Sequence, residues 1–532
     1  MEFVLLQAVF LPLLLSPLAY VLGRKFGTNA VMWFTFGLLL YCTVIIIEAA
    51  IGGTYEEHYQ WTTLFGEFGF LLDGLAAPFA IIIYVLCTIL TIYSKPYMIH
   101  KFEHLFKEHY QQNSDVSEGQ TTALIESSAL KTYINNQSGL YFAMFLVFAM
   151  GMLGTVLSTN LIEFYIFFEV MLIPAFFLIA WYGDGARRRI ALMFFFWTHV
   201  GAVVLLLGFL AIGLSIGSFD FVDIVESEIP EDIIVISAVA IILGLGVKLA
   251  AFIFHIWLPY AHGAAPTPIS ALLSPAMIGI GAYGIFRLII EFLPQTYSDL
   301  SIVLTVWGVA TMFYGGAMAL MQDDLKRLLA YSSISHLGFI VLGIFAFNSE
   351  GIEGSILQMV NHGIIASALF IIVGILEKKM GTRNLDDFRG LGKAMPLLYG
   401  IFMLITLAAL GLPGLSGFVG EFLILLGVWT SLLLEDLSVI YVLMSGLAII
   451  FAAIYMLYMF QGAMQEKNEK IPEDLSDINS KEFGLLLPAC ILVVFIGLYP
   501  KIFIDRVAPS VESVLMVEKT INLDAGKGSN NH

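Results

Sequence analysis

Charge is scarce in this chain. Only 13% of its 532 residues are Asp, Glu, Lys or Arg against 59% hydrophobic, and the mean hydropathy is +0.88. That leaves too little polar surface to coat a water-soluble globule. Cysteine is scarcer still: Cys42, Cys87 and Cys490 all fall in apolar stretches and match no disulfide or metal spacing. There is no GxxxxGK[ST], no GxGxxG after a strand, no CxxC pair and no Ser-His-Asp pattern. Nucleotide, flavin and iron–sulphur chemistry must therefore be housed elsewhere, and no cofactor or metal is expected in this chain. The opening MEFVLLQAVFLPLLLSPLAYVLGRK carries its positive charges after the apolar run, which reads as an uncleaved first span with its N-terminus outside. The net charge of −17 rests on acids concentrated in loops and marks surface and topology, with no nucleic-acid partner implied.

What the chain has in abundance is apolar stretches of about twenty residues, the length that crosses a bilayer as a helix. They lie near 3–23, 31–51, 70–94, 140–158, 161–182, 190–214, 233–258, 267–293, 301–321, 328–347, 355–377, 396–431, 438–462 and 483–505. The expected fold is an all-α polytopic membrane protein of about fourteen transmembrane helices. Alternate loops carry the positive charge: Arg24 and Lys25; Lys95, Lys101, Lys107 and Lys131; Arg187–Arg189; Lys326 and Arg327; Lys378, Lys379, Arg383, Arg389 and Lys393; and Lys467, Lys470 and Lys481. The loops between them are neutral or acidic, as at Asp220, Asp223, Glu226, Glu435 and Asp436. A missed or invented span would invert every later loop, so the alternation supports fourteen spans with both termini on the outer face. Residues 96–139 read as a cytoplasmic insertion with a short helix around Phe102–Tyr110, Asp73 and Pro78 as an interruption of the third span, and 522–532 as a disordered tail.

Two stretches carry features that are expensive in lipid. Gly244–Pro275 places Lys248 near the middle of a span and follows it with His255, His262 and a break marked by Pro259, Gly263, Pro266 and Pro268. An ammonium at a helix centre costs roughly 2.5–3.5 kcal/mol on insertion scales, and backbone freed by proline and glycine needs a protein-lined or wet interior. Ala408–Leu425 repeats the pattern, with Gly-Leu-Pro-Gly-Leu-Ser-Gly followed by Glu421. The two are spans seven and twelve, five apart, as expected if spans 4–8 and 9–13 are inverted five-helix repeats with an ion site in each.

A further carboxylate deep in an apolar span is Glu169 in span five. Desolvation disfavours the charged form of a buried carboxyl or ammonium, and an opposite charge restores it. A Glu169–Lys248 pair can therefore act as a proton gate, or simply pin two helices. His255, seven residues after Lys248, is expected on the same helix face as a proton relay. His336 follows Ser332, Ser333 and Ser335, and His362 follows Asn361, which supplies hydroxyl and amide partners for water. His199 and His262 also lie in or beside spans. Relay, plain helix contact and haem ligation are all open for these imidazoles, and nothing selects a pair for iron. The aromatic run Phe194–Trp197 reads as packing or lipid-facing, and Arg187–Arg189 as a topology anchor.

Five segments together resemble a known family: FEVMLIP at Phe168–Pro174, VKLAAFIFHIWLPYAHGAAPTPISALL at Val247–Leu273, DDLKRLLAYSSISHLGF at Asp323–Phe339, VNHGIIASALF at Val360–Phe370 and GLPGLSGFVGEFLIL at Gly411–Leu425. They resemble the antiporter-like membrane subunits of respiratory complex I, relatives of Mrp-type cation/proton antiporters and membrane-bound hydrogenases. The resemblance implies fourteen helices with inverted repeats, broken helices seven and twelve, and a hydrated charged axis along the midplane. Glutamate at Glu421 and an end soon after span fourteen are similar to the M-type (subunit 4) member. By that likeness Glu169 and Lys248 match the input pair, His336 and His362 the central axis, and Glu421 the exit carboxylate. The family lysine of span eight falls on Gly279, four residues before Tyr283, and with the 96–139 insertion marks a divergent branch.

The resemblance further implies a proton-translocating subunit of a complex I-like quinone oxidoreductase, part of a redox-driven translocase with no redox centre of its own. Flavin, iron–sulphur clusters and quinone are expected in partner subunits, the membrane partners being L-, N-, K- and H-type, in a prokaryotic plasma membrane. The alternatives are an Mrp-type sodium/proton antiporter subunit, a hydrogenase-type antiporter-like subunit, or a non-conducting scaffold. The expected units are 1–95 (spans 1–3), 96–139 (insertion), 140–293 (first repeat), 301–462 (second repeat) and 483–532 (last span and tail).

Overall fold

The computed structural model describes residues 3–113, 120–434, 437–465 and 475–528. Glu435, Asp436, Lys467 and Lys470 lie outside them. Among the described residues thirteen helices are long and apolar enough to cross a membrane. Two shorter ones, Pro396–Ala409 and Ser416–Thr430, lie in series across a break where span twelve is expected. Thr267–Ile290 and Ser349–Met380 are enclosed along their most apolar windows. Peripheral helices instead expose large apolar side chains such as Trp33, Phe196, Leu214 and Leu443, the surface that acyl chains cover. Within the aromatic run, Phe194 is buried against Trp257 while Phe196 faces outward.

The expected helical membrane bundle carries one further element, and some expected boundaries shift. Strands β1 (Tyr55–Thr62) and β2 (Gly66–Leu72) form an antiparallel hairpin, with a register shift between Gln60 and Thr62. The third crossing accordingly begins at Ala76 and not at 70. Asp73 is its cap, accepting from the Leu75 and Ala76 amides at 3.1 and 2.7 Å. Pro78 falls in the first turn, where its missing N–H costs nothing. Residues 96–139, expected as an insertion, are largely helical: Ala76–Asn113, which contains the short helix expected around Phe102–Tyr110, and Gln120–Leu157 prolong two spans on either side of 114–119. Finally, the last crossing, Ser480–Leu498, stops before Pro500, as helices do ahead of proline, and a further helix runs Lys501–Gly528 through part of the expected disordered tail.

The hairpin staples one end of the bundle. Glu57 accepts from the Leu5 and Leu6 amides, both at 2.9 Å, capping the first crossing with a carboxylate where the helix dipole favours one. Asn160 caps Leu161–Val170 and donates to the Phe65 carbonyl, and Glu163 accepts from the Gly69 amide at 3.2 Å. The opposite, basic end is tied by charge. Asp184 is paired with Lys101 and with Arg383 at 3.4 Å, Arg383 reaches Asp324 at 3.3 Å, and Lys326 meets Glu377 at 3.2 Å. Burial pushes the Asp184 carboxyl up, but Lys326, Lys101 and Arg383 more than offset it and hold it below the usual range.

Candidate functional site

Proline positions the first half of the site. In the seventh crossing, a helix continuing through Pro259 would drive its ring into the carbonyl of residue 255. The helix Glu231–Leu249 instead ends, residues 250–256 turn, and Trp257–Ala264 begins with Pro259 in its first turn. Ala250 (φ 54°) and Ile253 (φ 81°) take left-handed backbone, which for a β-branched residue such as Ile253 is a genuine outlier. The freed backbone finds side chains: Trp257 Nε1 donates to the Val247 carbonyl and Trp307 Nε1 to the Phe252 carbonyl, each at 2.9 Å, while Thr311 accepts from the Phe252 amide at 3.1 Å.

Lys248 therefore sits in the last turn of a half-helix, buried, where the dipole favours a cation. Its Nζ lies 4.4 Å from the centre of the Phe168 ring and has no hydrogen-bond partner. Glu169 stands at the end of Leu161–Val170, next to a discontinuity at Met171 that Pro174 creates by leaving the Val170 carbonyl without its helical donor. The structure does not bring Glu169 into an ion pair with Lys248. The carboxylate Oε2 is held by His199 Nδ1 at 2.8 Å, and Oε1 is unpartnered. His255 likewise does not share a helix face with Lys248, since the break separates them. It is buried against Tyr314, ring centres 4.4 Å apart, with Nδ1 unpartnered.

The second half is compact. His336, on Leu325–Ile344, and His362, on Ser349–Met380, lie with ring centres 5.4 Å apart. His336 Nδ1 is 3.7 Å from Glu421 Oε1, and its Nε2 is 3.4 Å from the Tyr455 hydroxyl. His362 Nε2 reaches Ser274 Oγ at 3.3 Å, and Ser274 meets Ser333 Oγ at 2.8 Å. Glu421, 2% exposed, also accepts from Gln358 at 3.5 Å. The break of the twelfth crossing makes room for it. Gly411 has φ 74°, and a Cβ there would lie 2.3 Å from Glu421 Oε2. Asn361 donates to the Ser416 carbonyl in the same break at 2.7 Å.

Of the six residues expected from the sequence, the structure joins His336, His362 and Glu421 and leaves Glu169, Lys248 and His255 separate from one another. Gly279 is buried with open space where its side chain would be. His199 was visible only as one histidine among five, and its role follows from contact with Glu169. His262 is fully buried on Phe370 with neither ring nitrogen bonded, and Tyr455 gave no signal in the sequence at all. The apolar context of Tyr455, in a helix whose other buried positions are mostly small or apolar, hides it.

A helical bundle with two interrupted crossings and titratable groups enclosed at both breaks defines a class: polytopic membrane proteins that handle ions within their interior. Residues 158–450 match the model of the family described as NADH:quinone oxidoreductase/Mrp antiporter, TM. A NADH-quinone oxidoreductase subunit M of Rickettsia bellii is 36% identical over 73% of this chain and 77% of its own. An NAD(P)H-quinone oxidoreductase chain 4 of Trichormus variabilis is 33% identical over 69% and 70%. Among solved structures, respiratory complex I from Thermus thermophilus matches with TM-score 0.79 and 25% identity over 97% of this chain and 99% of that one. The Mrp complex of Dietzia sp. shares the fold at TM-score 0.79 and 23% identity, covering 95% of this chain and 52% of that one. The chain belongs to the NADH:quinone oxidoreductase/Mrp antiporter family, as one of its M-type, antiporter-like members.

Proposed function

We propose that this chain is a proton-translocating membrane subunit of a redox-driven, complex I-like quinone oxidoreductase, moving protons along Glu169, Lys248, His255, His336, His362 and Glu421. The observation that carries the reading is the enclosed contact series from His362 through His336 to Glu421. At its other end, Lys248 Nζ faces the Phe168 ring at the C-terminal end of a half-helix, both of which favour an ammonium, but it has no fixed hydrogen bond. Its proton affinity is thus open to control by Glu169. Drawn away from His199, the Glu169 carboxylate favours the ammonium; returned to His199, it lets the proton go. Unpartnered atoms on Lys248, His262, Asn361 and Ser416 are sites that water must satisfy, and such water links side chains that do not touch.

In this reading the hairpin end and both termini face outward, and the basic end faces the cytoplasm of a prokaryotic cell. The partners are L-, N-, K- and H-type membrane subunits, with flavin, iron–sulphur clusters and quinone sites in other chains. Glu421→Gln tests it. The substitution keeps shape and removes the exchangeable acid, so the assembled complex in vesicles should lose proton pumping per electron. Unchanged pumping would favour a scaffold. A second reading, sodium/proton exchange, is supported by the fold shared with the Mrp complex. It requires exchange that depends on sodium and persists without electron flow.

A further inference from the structure

Where the hairpin end meets the Lys501–Gly528 helix, a crevice of about 640 Å³ opens between the second, third and eleventh crossings and the last one. Its walls are apolar, among them Ile51, Ile81, Val85, Val360, Ile364 and Ile496. They reach eleven residues below Glu353 along Ser349–Met380, roughly 16 Å at helical rise. The tail helix is seated firmly over the mouth, since a Cβ on Gly74 would lie 2.6 Å from the Arg506 carbonyl.

Charge is confined to the mouth, at Asp73, Glu353, Asp505 and Arg506. Asp73 is already neutralised by Arg287, whose Nη2 lies 2.8 Å from both carboxylate oxygens. Glu353 is different. Half-buried, it has no hydrogen-bond or ion-pair partner among the described residues, and the charges acting on it are Glu350, Glu512 and Asp505, all of its own sign. Carboxylates gathered over an apolar slot call for a cation attached to an acyl chain. Arg506 spends one donor on the Ile51 carbonyl at 3.1 Å and keeps the rest of its fork, which suits a phosphate.

We infer that this crevice binds one phospholipid with a zwitterionic, primary-ammonium headgroup of the phosphatidylethanolamine type. An acyl chain lies along Val360 and Ile364, the phosphate on Arg506, and the ammonium between Glu353 and Asp505. An anionic headgroup such as phosphoglycerol would leave the carboxylates uncompensated, and a choline lacks the N–H donors that they can use.

The complex, purified in mild detergent from membranes containing both lipids, is analysed by native mass spectrometry and by lipid extraction. It should retain phosphatidylethanolamine enriched several-fold over phosphatidylglycerol relative to the bulk membrane. Ala77→Phe, which fills the crevice from its wall, should remove one bound lipid per copy of this chain. Where that variant fails to assemble, Glu353→Gln with Asp505→Asn, at the mouth, should abolish the preference between the two lipids. Equal lipid retention in Ala77→Phe, a preference for phosphatidylglycerol, or a preference unaltered by the double variant overturns the assignment. So does cross-linking of a neighbouring subunit to a cysteine placed at Ala77, which would show the crevice filled by protein.

Discussion

Gly411→Ala separates the geometry of the twelfth-crossing break from general helix damage. Alanine at φ 74° bears the left-handed penalty of about 1–2 kcal/mol. Its Cβ would also lie 2.3 Å from Glu421 Oε2, so the carboxylate must leave its rotamer, at a further cost of about 0.5–1.5 kcal/mol. Gly414 supplies the control: its φ is 90°, yet nothing lies within 4 Å of the added carbon. Gly414→Ala should therefore show only the backbone part, and Gly411→Ala about 1.5–3.5 kcal/mol in total. The midpoint of thermal dissociation of the purified complex reads the stability, and dye-reported acidification of vesicles reads the pumping. Gly411→Ala should lower both, because the displaced carboxylate loses Gln358 and His336. Adding Glu421→Ala should recover the clash portion of the stability without recovering pumping. Equal stability losses at 411 and 414, or full pumping in Gly411→Ala, would refute the view that Glu421 is held by the open glycine.

Four further expectations follow from the structure. Gly279→Lys should assemble at normal levels, because the added side chain starts into open space, and should pump at or above the parent rate. Gly281→Ala should assemble poorly, since its Cβ would sit 2.8 Å from the Leu249 amide nitrogen. His199→Ala strands Glu169 Oε2 and should destabilise by about 1–3 kcal/mol; His199→Gln, which keeps a donor, should restore most of the stability. For Asp184, a folded-state pKa below the unfolded value means stability that is present above about pH 4 and lost as pH falls further. Asp184→Asn should cost about 1–2 kcal/mol at neutral pH, the lower part of the charged hydrogen-bond range because over a quarter of the side chain is exposed. It should also remove that acid-dependent loss, as read by thermal dissociation of the complex at pH 7 and below.

Most of the crossings were legible because each carries its own signal, a run of apolar residues of bilayer length, and the alternation of loop charge checks the count. The hairpin was not legible in this way. Tyr55–Thr62 pairs with β2 across a short turn, but its place on the bundle is set through Glu57 by the Leu5 and Leu6 amides of the first crossing, which are far away in the sequence. Of the helical continuations around 114–119, the second was missed. The end of Ala76–Asn113 holds the short helix expected around Phe102–Tyr110, with Phe102 and Leu105 buried, whereas the mostly polar start of Gln120–Leu157 reads as loop by composition alone.

The site shows where spacing holds and where it fails. Glu421 was readable because Gly411, Pro413 and Gly414 announce a break, and a carboxylate just beyond it has few alternatives in an apolar span. The same logic should have cancelled the pairing of Lys248 with His255. A separation of seven residues places two side chains on one face only along an unbroken helix, and Pro259 prevents one helix from running unbroken through residue 255, whose carbonyl its ring would meet. The proline that marks the seventh crossing as interrupted is thus the residue that moves His255 off the Lys248 face and onto Tyr314. Any direct transfer between Lys248 and His255 must cross the 250–256 turn through water, and so a variant that straightened this turn should change proton transfer more than one that altered either side chain's size.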